Sequence, residues 1–587
     1  MTLRLAGVAA AGGTVCVAAL MIGTEVAAWR FGWHSSLGSP LAAWDGVPIY
    51  APWSILRWLS WWPNAQPVRL GLLAAGLTLT ACLALSIKRA VAHAQAFGAK
   101  EWATARDAAQ AGLLSDPKNG GIVVGRLGRR LLTFAGDQHV LVLGASGAGK
   151  SSGPIMSTLL SCRDRSMLVL DPKGELYRMS ALFRSTIGPA LYFDPTKPES
   201  ARFNPLDDIP VGTFREIPAV QNIASLLIDA SGLKNSEPIW PITAADLLSA
   251  VILWAVNDAP ADERHLGALW QRMWDMPNTL AAMSGSRHSV ARLVANTMIG
   301  MSTKTADSIA LTARSALSPW VDPLLTTLTS RSDFRISDLA CGRRPVSLYL
   351  QVPTSDRDRV MPLFRLMLMQ VFKAFLWSEP AMPDGRKKVH RLQFIGDEFP
   401  AAGQIPGFDS DIQMLRSHGV SCMLLCQSVK SLKGVYGDKQ VIRANCHIET
   451  HFASSDPDDA AELSKACNDA IEVKTTVTTQ RWKWLQGSTS KSEARRSLLT
   501  PADVRALGMD EAIVLVTGCK PLRARKVRWF QLSQFRTRSI DLHKHPDTPT
   551  TQNARVLAAQ QPIATAQPKR RKRILQPSVS PVEIPGK

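Results

Sequence analysis

The sequence predicts an α/β fold: a sheet organised around a phosphate-binding glycine loop, with an inserted all-α domain and two transmembrane helices in front. Three observations predict it. Residues Gly144 to Ser151 read G-x-x-x-x-G-K-[ST], led in by the apolar run 140–143 and led out by the helix-compatible run 152–162. Much further on, an apolar run ends in Asp397-Glu398, with a long stretch of helical periodicity between the two. Near the start, residues 5–28 and 70–87 are almost wholly apolar. Each is close to the roughly 20 residues that cross a bilayer.

With 587 residues the chain is too long for one compact core, so several units are expected. The net charge of +20 suits an anionic partner, nucleic acid or lipid headgroups, without choosing between them. The nine cysteines are scattered. Cys422 and Cys426 form the closest pair, but no second pair or histidine cluster completes a zinc pattern. This usage points to a reducing compartment for the soluble part.

In chain order, residues 1–95 read as a membrane anchor. Val26-Ala27-Ala28 has the look of a signal-peptidase site. The preceding apolar run is longer than a signal h-region, however, and only Arg4 charges its start, so an uncleaved span is expected. Between the spans, residues 29–69 are predicted to be a periplasmic loop. They carry Trp29, Trp33, Trp44, Trp53, Trp58, Trp61 and Trp62. Tryptophan favours the membrane–water boundary, yet a small packed periplasmic hairpin cap accounts for them equally well, and a surface for another membrane protein is a third reading. Arg4, Lys88, Arg89 and Lys100 flank one side, and Arg30, Arg57 and Arg69 the other. That charge bias is weak. The stronger argument is that an ATP-using domain follows the second span and must be cytoplasmic, which puts both termini in the cytoplasm.

The glycine loop carries the first chemistry. Gly144, Ala145, Ser146, Gly147, Ala148 and Gly149 are placed to wrap a phosphate with backbone N–H groups, and Ser152 opens a helix whose N-terminus adds positive charge. Lys150 is expected to reach the outer phosphates of ATP, and Ser151 to hold Mg²⁺. Residues 166–170 read as a buried strand ending in Asp171-Pro-Lys-Gly-Glu175. Ligands lie beyond the carboxyl ends of strands in such sheets, so Asp171, Lys173 and Glu175 fall at its mouth.

From 212 to 339 the strand signal fades and helices are predicted at 217–227, 241–256, 266–274, 290–300 and 305–317. The sheet resumes with a strand at 345–352, a long buried helix at 357–377 and a strand at 391–398. After a glycine loop, a strand ending in two acids is the Walker B pattern. Asp397 would orient Mg²⁺ through water, and Glu398 would polarise the attacking water. A helix at 408–417 carries Arg416 near its end. The aliphatic strand 420–426 ends in Gln427, beside the γ-phosphate position. Segments 446–452, 457–467, 512–517 and 526–529 continue the alternation. Residues 541–587 turn to Pro, Thr, Gln and Ala and are expected to be disordered, with a basic cluster at Lys569 to Arg573 suited to DNA phosphates or anionic lipid.

Together these residues resemble the coupling-protein ATPases of type IV secretion and conjugation, the TraG/TraD class. The resemblance rests on Gly98, Trp102 and Ala103 after the anchor, the Walker A loop, Asp171-Pro-Lys-Gly-Glu175, and Phe203-Asn-Pro205. It continues through Asp333-Phe334 and Asp338-Leu339, then Asp397-Glu398-Phe399 with Gly403 and Ile405-Pro406, and ends with Leu499-Thr-Pro501 and Pro521. It departs at Lys100, Glu101 and Gly396; a larger aliphatic residue is usual at the last position, and glycine there is expected to loosen the strand end slightly.

The resemblance implies a RecA-like motor domain (96–211 and 340–540) with the all-α insert at 212–339. It further implies a homohexameric ring with ATP and Mg²⁺ between subunits, Arg416 as an arginine finger on a neighbour's nucleotide, and Gln427 as a RecA-type sensor. The implied partners are relaxase-bound single-stranded DNA, protein effectors or both, together with secretion-channel proteins in the bacterial inner membrane. Two rival readings share the motor: a chromosomal DNA translocase of the FtsK kind, and a receptor that sorts protein effectors and uses ATP mainly to stay assembled. The first is disfavoured by two spans rather than four and by the lack of a long Pro/Gln linker.

Overall fold

The computed structural model describes residues 2–96, 102–114, 120–230, 239–353, 355–377, 380–454, 456–467, 469–478 and 488–542. The chain divides into two compact units, Met1–Lys100 with Ala470–Arg496, and Glu101–Asp469 with Ser497–Lys587.

In the first unit, helices Thr2–Arg30 and Gln66–Ala96 pack against each other. Their closest approach needs glycine on both sides. A Cβ on Gly23 would stand 2.6 Å from the Gly71 carbonyl oxygen, and one on Gly71 would stand 2.4 Å from that of Gly23. Small residues at a helix crossing allow this backbone approach. Described side chains in these helices run over 16–30 and 66–82, each shorter than a span requires. Among the described residues no helix is long and apolar enough to cross a membrane; the rest of both predicted spans lies outside the described side chains.

Between the helices, Ala42–Trp44 and Val47–Ile49 form an antiparallel hairpin. Its two-residue turn, Asp45-Gly46, has positive φ at both positions (51° and 82°), as hairpin turns matched to the strand twist require. Ala27, Ala28, Leu37, Tyr50, Ile55, Trp58 and Val68 close a small core. The Trp58 indole donates to Leu37 O at 3.0 Å, and Glu25 Oε1 accepts the Tyr50 N–H at 2.8 Å. The tryptophans therefore divide: Trp58 is core, while Trp29, Trp44, Trp53 and Trp61 are exposed. Two strands not foreseen from the sequence, Asp469–Thr478 and Ser488–Ser497, pair with each other.

The second unit is built on one sheet of eleven strands. In chain order these are β1 Ile122–Leu127, β2 Arg130–Phe134, β3 His139–Leu143, β4 Ser166–Leu170, β5 Ala190–Phe193, β6 Ser347–Leu350, β7 Leu392–Gly396, β8 Val420–Cys426, β9 Cys446–His451, β10 Glu511–Val516 and β11 Leu522–Arg525. Their spatial order is β2-β1-β11-β10-β9-β3-β8-β7-β4-β6-β5. From β9 to β5 every neighbouring pair is parallel; from β9 to β2 every pair is antiparallel. The parallel strands β3, β4, β7 and β8 are buried along their whole length. That burial on both faces is why they read as aliphatic runs without alternation. Leu141 and Leu143 face one core with Leu168 and Phe394, while Val140 and Val142 face the other with Met167 and Ile395.

Between β5 and β6 lie the helices Glu216–Ala230, Ile239–Asp258, Leu266–Arg272, Met276–Ser284, Ser289–Ile299, Thr303–Ala316 and Pro323–Leu328, with no strand among the described residues. One buried core runs from the Leu141 face of the sheet into these helices. The way in and the way out of the insert are fastened together. The Arg202 and Asp333 backbones exchange hydrogen bonds through the Asp333 carboxylate and the Arg202 carbonyl, both at 2.9 Å. Phe203 stacks on Phe334 with ring centroids 5.3 Å apart.

The segment expected to continue the alternation at 526–529 falls just past a strand, β11, Leu522–Arg525. Its pattern of alternating burial is that of a strand with one face exposed, and Lys526 leaves the ladder to point its side chain elsewhere. The tail beyond 542 lies outside the described residues.

Candidate functional site

The glycine loop follows β3 directly. A Cβ on Gly144 would come within 2.8 Å of Phe452 Cβ, so the loop can start there only without a side chain. Gly147 and Gly149 have φ of +75° and +88°, the left-handed region that glycine enters at little cost. Beyond the loop the helix opens wide: Ser151–Ile155 is a π-type turn and Met156–Leu159 an α-turn. Pro154 sits inside it, and a Cβ on Gly153 would stand 2.7 Å from Val527 O. Widened turns of this kind recur at functional sites. Lys150 reaches back across the loop and donates to Gly144 O and to Ala145 O, the latter at 3.0 Å.

The second half of the site comes from β7. In the sheet, β8 lies between β3 and β7, so β8 ends between the loop and the two acids. Across that gap Ser151 Oγ donates to Asp397 Oδ2 at 2.8 Å. Asp397 is 4% exposed, and its Oδ1 has no hydrogen-bond partner among the described residues. Burial raises its pKa, and the Ser151 hydrogen bond pulls it back. Burial lowers that of Lys150, opposed by Asp397 and Glu398. A hard oxygen from Ser151 and an unpartnered buried carboxylate oxygen are the donor set that fits Mg²⁺. Among the described residues no group of three or more His, Cys, Asp or Glu side chains could hold a metal alone. A Mg²⁺ held there would take the rest of its shell from phosphate and water oxygens, as this ion commonly does.

Glu398, half-buried, has φ +51°. A non-glycine residue held there costs about 1–3 kcal/mol, a strain that clusters at functional positions. Gly396 does not loosen the strand end as expected. A Cβ there would lie 3.1 Å from Phe399 Cδ2 and 3.4 Å from Phe394 Cζ; the ring of Phe399 fills the space that an aliphatic side chain would take.

Gln427 is exposed immediately after β8, where the Gly144 N–H donates to the Cys426 carbonyl at 3.3 Å. Asp171 follows β4, the neighbour of β7, and the Asp397 N–H donates to Leu170 O at 3.3 Å. Asp171 Oδ2 accepts the Tyr177 N–H at 2.9 Å, while Oδ1 is buried without a partner among the described residues. Burial, helped by the charge of Asp397, pushes its carboxyl up to about 7. Exposed Lys173 acts electrostatically on both Lys150 and Asp397. The structure thus brings together Lys150, Ser151, Asp397, Glu398, Gln427 and the Asp171-Lys173 turn.

It does not bring Arg416 to them. Arg416 is exposed in the turn Arg416–His418 that leads into the start of β8. Its charge is felt by His139 and His447, at the starts of β3 and β9. That is the sheet edge opposite the loop. Buried His139, with a pKa lowered to about 4 by burial, links the helix before Arg416 to the sheet. Its Nε2 pairs with Ile412 O at 2.9 Å, and its Nδ1 accepts the Cys422 N–H at 3.0 Å.

Two residues with no motif to announce them also belong here. Phe452 backs Gly144, and Lys526 Nζ donates to Ala148 O at 3.1 Å. Only a close approach in three dimensions could have found them. Of the insert's basic residues, Arg287 is paired with Asp258 at 2.7 Å.

A parallel sheet with a glycine loop at its carboxyl edge, a Ser–Asp pair closing it, and one strand between the loop strand and the acidic strand defines a RecA-like P-loop ATPase. The family model for type IV secretory system conjugative DNA transfer matches residues 91–552. The chain belongs to that family. It is 30% identical over 547 residues to the conjugal transfer protein TraG of Escherichia coli, covering 84% of each chain. It is 30% identical over 407 residues to protein VirD4 of Agrobacterium fabrum strain C58, covering 68% of this chain and 60% of that one. In fold it is similar to the plasmid coupling protein TrwB solved with ADP and Mg²⁺, with a TM-score of 0.52 at 16% identity, covering 73% of this chain and 94% of that one.

Proposed function

We propose that the protein is an inner-membrane coupling ATPase that delivers relaxase-bound DNA, protein substrates or both to a type IV secretion channel, hydrolysing ATP in a hexameric ring. The observation that carries the reading is the Ser151–Asp397 contact at 2.8 Å. It joins the glycine loop to the acidic strand end within a chain of the conjugative DNA-transfer family. The loop N–H groups and Lys150 bind the triphosphate. Ser151, and Asp397 through water, would hold Mg²⁺, which when bound would supply neutralising charge at the phosphates. Glu398 orients and deprotonates the attacking water, and Gln427 sits where it can sense the γ-phosphate. Arg416, on the opposite sheet edge, cannot serve its own loop and would serve a neighbour's. That placement supports the ring.

The anchor is assigned to 1–95, the motor to 96–211 and 340–540, and the all-α domain to 212–339. A basic tail follows from 541. The two apolar runs at 5–28 and 70–87 support a multi-pass anchor with the motor and both termini in the cytoplasm. The net charge of +20 supports contact with DNA.

The test is ATP hydrolysis by the purified full-length protein with and without single-stranded DNA. DNA is expected to stimulate turnover, and Lys150→Ala to lower it about 100-fold or more. Wild-type turnover in Lys150→Ala overturns the site. A wild-type enzyme that ignores DNA but captures effector proteins overturns DNA transport in favour of a sorting receptor.

A further inference from the structure

Lys526 is 6% exposed. A lysine buried this far needs a reason, because its ammonium gives up most of its hydration. Its Nζ lies 4.4 Å from the centroid of the Phe452 ring and donates to the carbonyl oxygen of Ala148 at 3.1 Å. Phe452 is the ring that backs Gly144. Ala148 packs against the same buried cluster as Phe452 and Val527. Lys526 therefore grips the loop from its core side, while Lys150 closes the mouth from the other through Gly144 O and Ala145 O. The Lys526 backbone is itself fixed, its N–H donating to Asp510 O at 2.7 Å, and the next residue, Val527, meets Gly153.

We propose that Lys526 is a nucleotide-positioning residue that sets the phosphate-binding geometry of the glycine loop through the Ala148–Gly149 peptide. In a trans peptide the C=O and N–H point in opposite directions. An ammonium holding the Ala148 oxygen toward the core turns the Gly149 N–H toward the concave side, where the phosphate binds. The cation also polarises that peptide and makes its N–H a stronger donor. Both effects act on bound phosphate, so they belong to nucleotide affinity more than to the chemical step. Lys526 follows β11 at the far side of β9 and β10 from the loop strand, which makes the antiparallel end of the sheet part of the nucleotide site. The inference rests on the reading of Gly144 to Ser151 as the nucleotide loop.

The experiment compares full-length wild type with Lys526→Met, Lys526→Arg and Lys150→Ala. It measures ADP–Mg²⁺ affinity, the KM and kcat for ATP, and the ligand-free melting temperature. Methionine keeps an apolar stem over Phe452 and removes the charge. Lys526→Met is expected to weaken ADP and raise KM roughly 10-fold, the scale of one charge-assisted hydrogen bond, with kcat changed less than about 3-fold. Lys526→Arg is expected to restore most of the affinity. ADP affinity and KM in Lys526→Met within about 2-fold of wild type overturn the inference, whatever its melting temperature. Equal impairment of the Met and Arg variants also overturns it, because packing and not charge would then be the agent. Those outcomes leave the nucleotide loop standing. Wild-type nucleotide affinity in Lys150→Ala would instead sink the loop assignment itself.

Discussion

Replacing Asp171 by asparagine should stabilise the nucleotide-free protein at neutral pH and flatten its dependence on pH. Asp171 is 1% exposed, and one of its carboxylate oxygens has no partner among the described residues. Burial, together with the charge of Asp397 across the neighbouring strand, lifts its pKa from 3.8 to about 7. The N–H groups of Tyr177, Leu176 and Gly174 oppose the shift without cancelling it.

The folded state thus holds a proton that the unfolded state has released. Stability is lost as pH rises from the unfolded value toward the folded one. Each unit of pKa shift is worth about 1.36 kcal/mol, so between pH 5 and pH 7 this group removes at most about 2.7 kcal/mol. Asparagine keeps an acceptor for the Tyr177 N–H and carries no charge, so the variant lacks this slope. Buried Asp208, also pushed up to about 7, contributes equally to both proteins and drops out of the difference. The assay is urea unfolding of both proteins at pH 5, 6, 7 and 8. The gap should widen in favour of Asp171→Asn up to pH 7 and then level off. Parallel curves across that range would refute the placement of a buried, unpaired carboxyl at the mouth of the sheet.

Other outcomes follow from the same geometry. Glu398→Gln should keep ATP binding and lose turnover by about 10²–10⁴-fold. Glu398→Gly, freed from the cost of positive φ, should melt above Glu398→Gln, which a thermal scan of the two variants checks. Arg416→Ala should bind nucleotide normally and lose about three orders of magnitude in kcat. Mixing Arg416→Ala subunits with Lys150→Ala subunits should recover part of the activity, since each supplies what the other lacks; a mixture as inactive as its components would argue against action on a neighbour. Gly144→Ala drives a methyl into Phe452 and should cost about 1–3 kcal/mol in stability, with a smaller ADP-induced melting shift. Adding Phe452→Ala should recover little of that shift, because alanine keeps the Cβ that stands 2.8 Å from the new methyl.

The parallel half of the sheet was legible because both of its faces are covered. Strands β3, β4, β7 and β8 are largely apolar runs, and three of them lead into polar residues at the mouth, Asp171, Asp397 and Gln427. The insert was legible through its helical periodicity. Its joint was visible only as two landmarks, Phe203-Asn-Pro205 and Asp333-Phe334, which meet through a ring stack and an exchange of hydrogen bonds. The antiparallel half was harder to place. Only alternate residues of β11 are buried, and its Leu-Arg-Ala-Arg pattern competes with the equally alternating Lys-Val-Arg-Trp at 526–529 beside it. In the hairpin, Ser488–Ser497 is almost wholly polar, and the alternation of Ile471, Val473 and Val477 in Asp469–Thr478 is a short signal with no second apolar strand to support it.

Motifs located Lys150, Ser151, Asp397 and Glu398 because each has a fixed spacing from a glycine loop or a strand end. They could not locate Phe452 or Lys526, whose relation to the loop exists only after the sheet has formed. Likewise, the landmarks Trp102 and Leu499 gain meaning in three dimensions. Trp102 packs against the buried cluster that includes Leu499, Val504 and Leu507, and the Ala103 N–H donates to Pro521 O at 2.8 Å.

The central claim is that ATP hydrolysis at this site drives conjugative transfer. The direct measurement is plasmid transfer from donor cells whose own copy of the gene is deleted and replaced by wild type or by Glu398→Gln at equal protein levels. The account predicts transfer restored by wild type and reduced about 100-fold or more by Glu398→Gln. Transfer at the wild-type frequency from donors carrying only Glu398→Gln would contradict it.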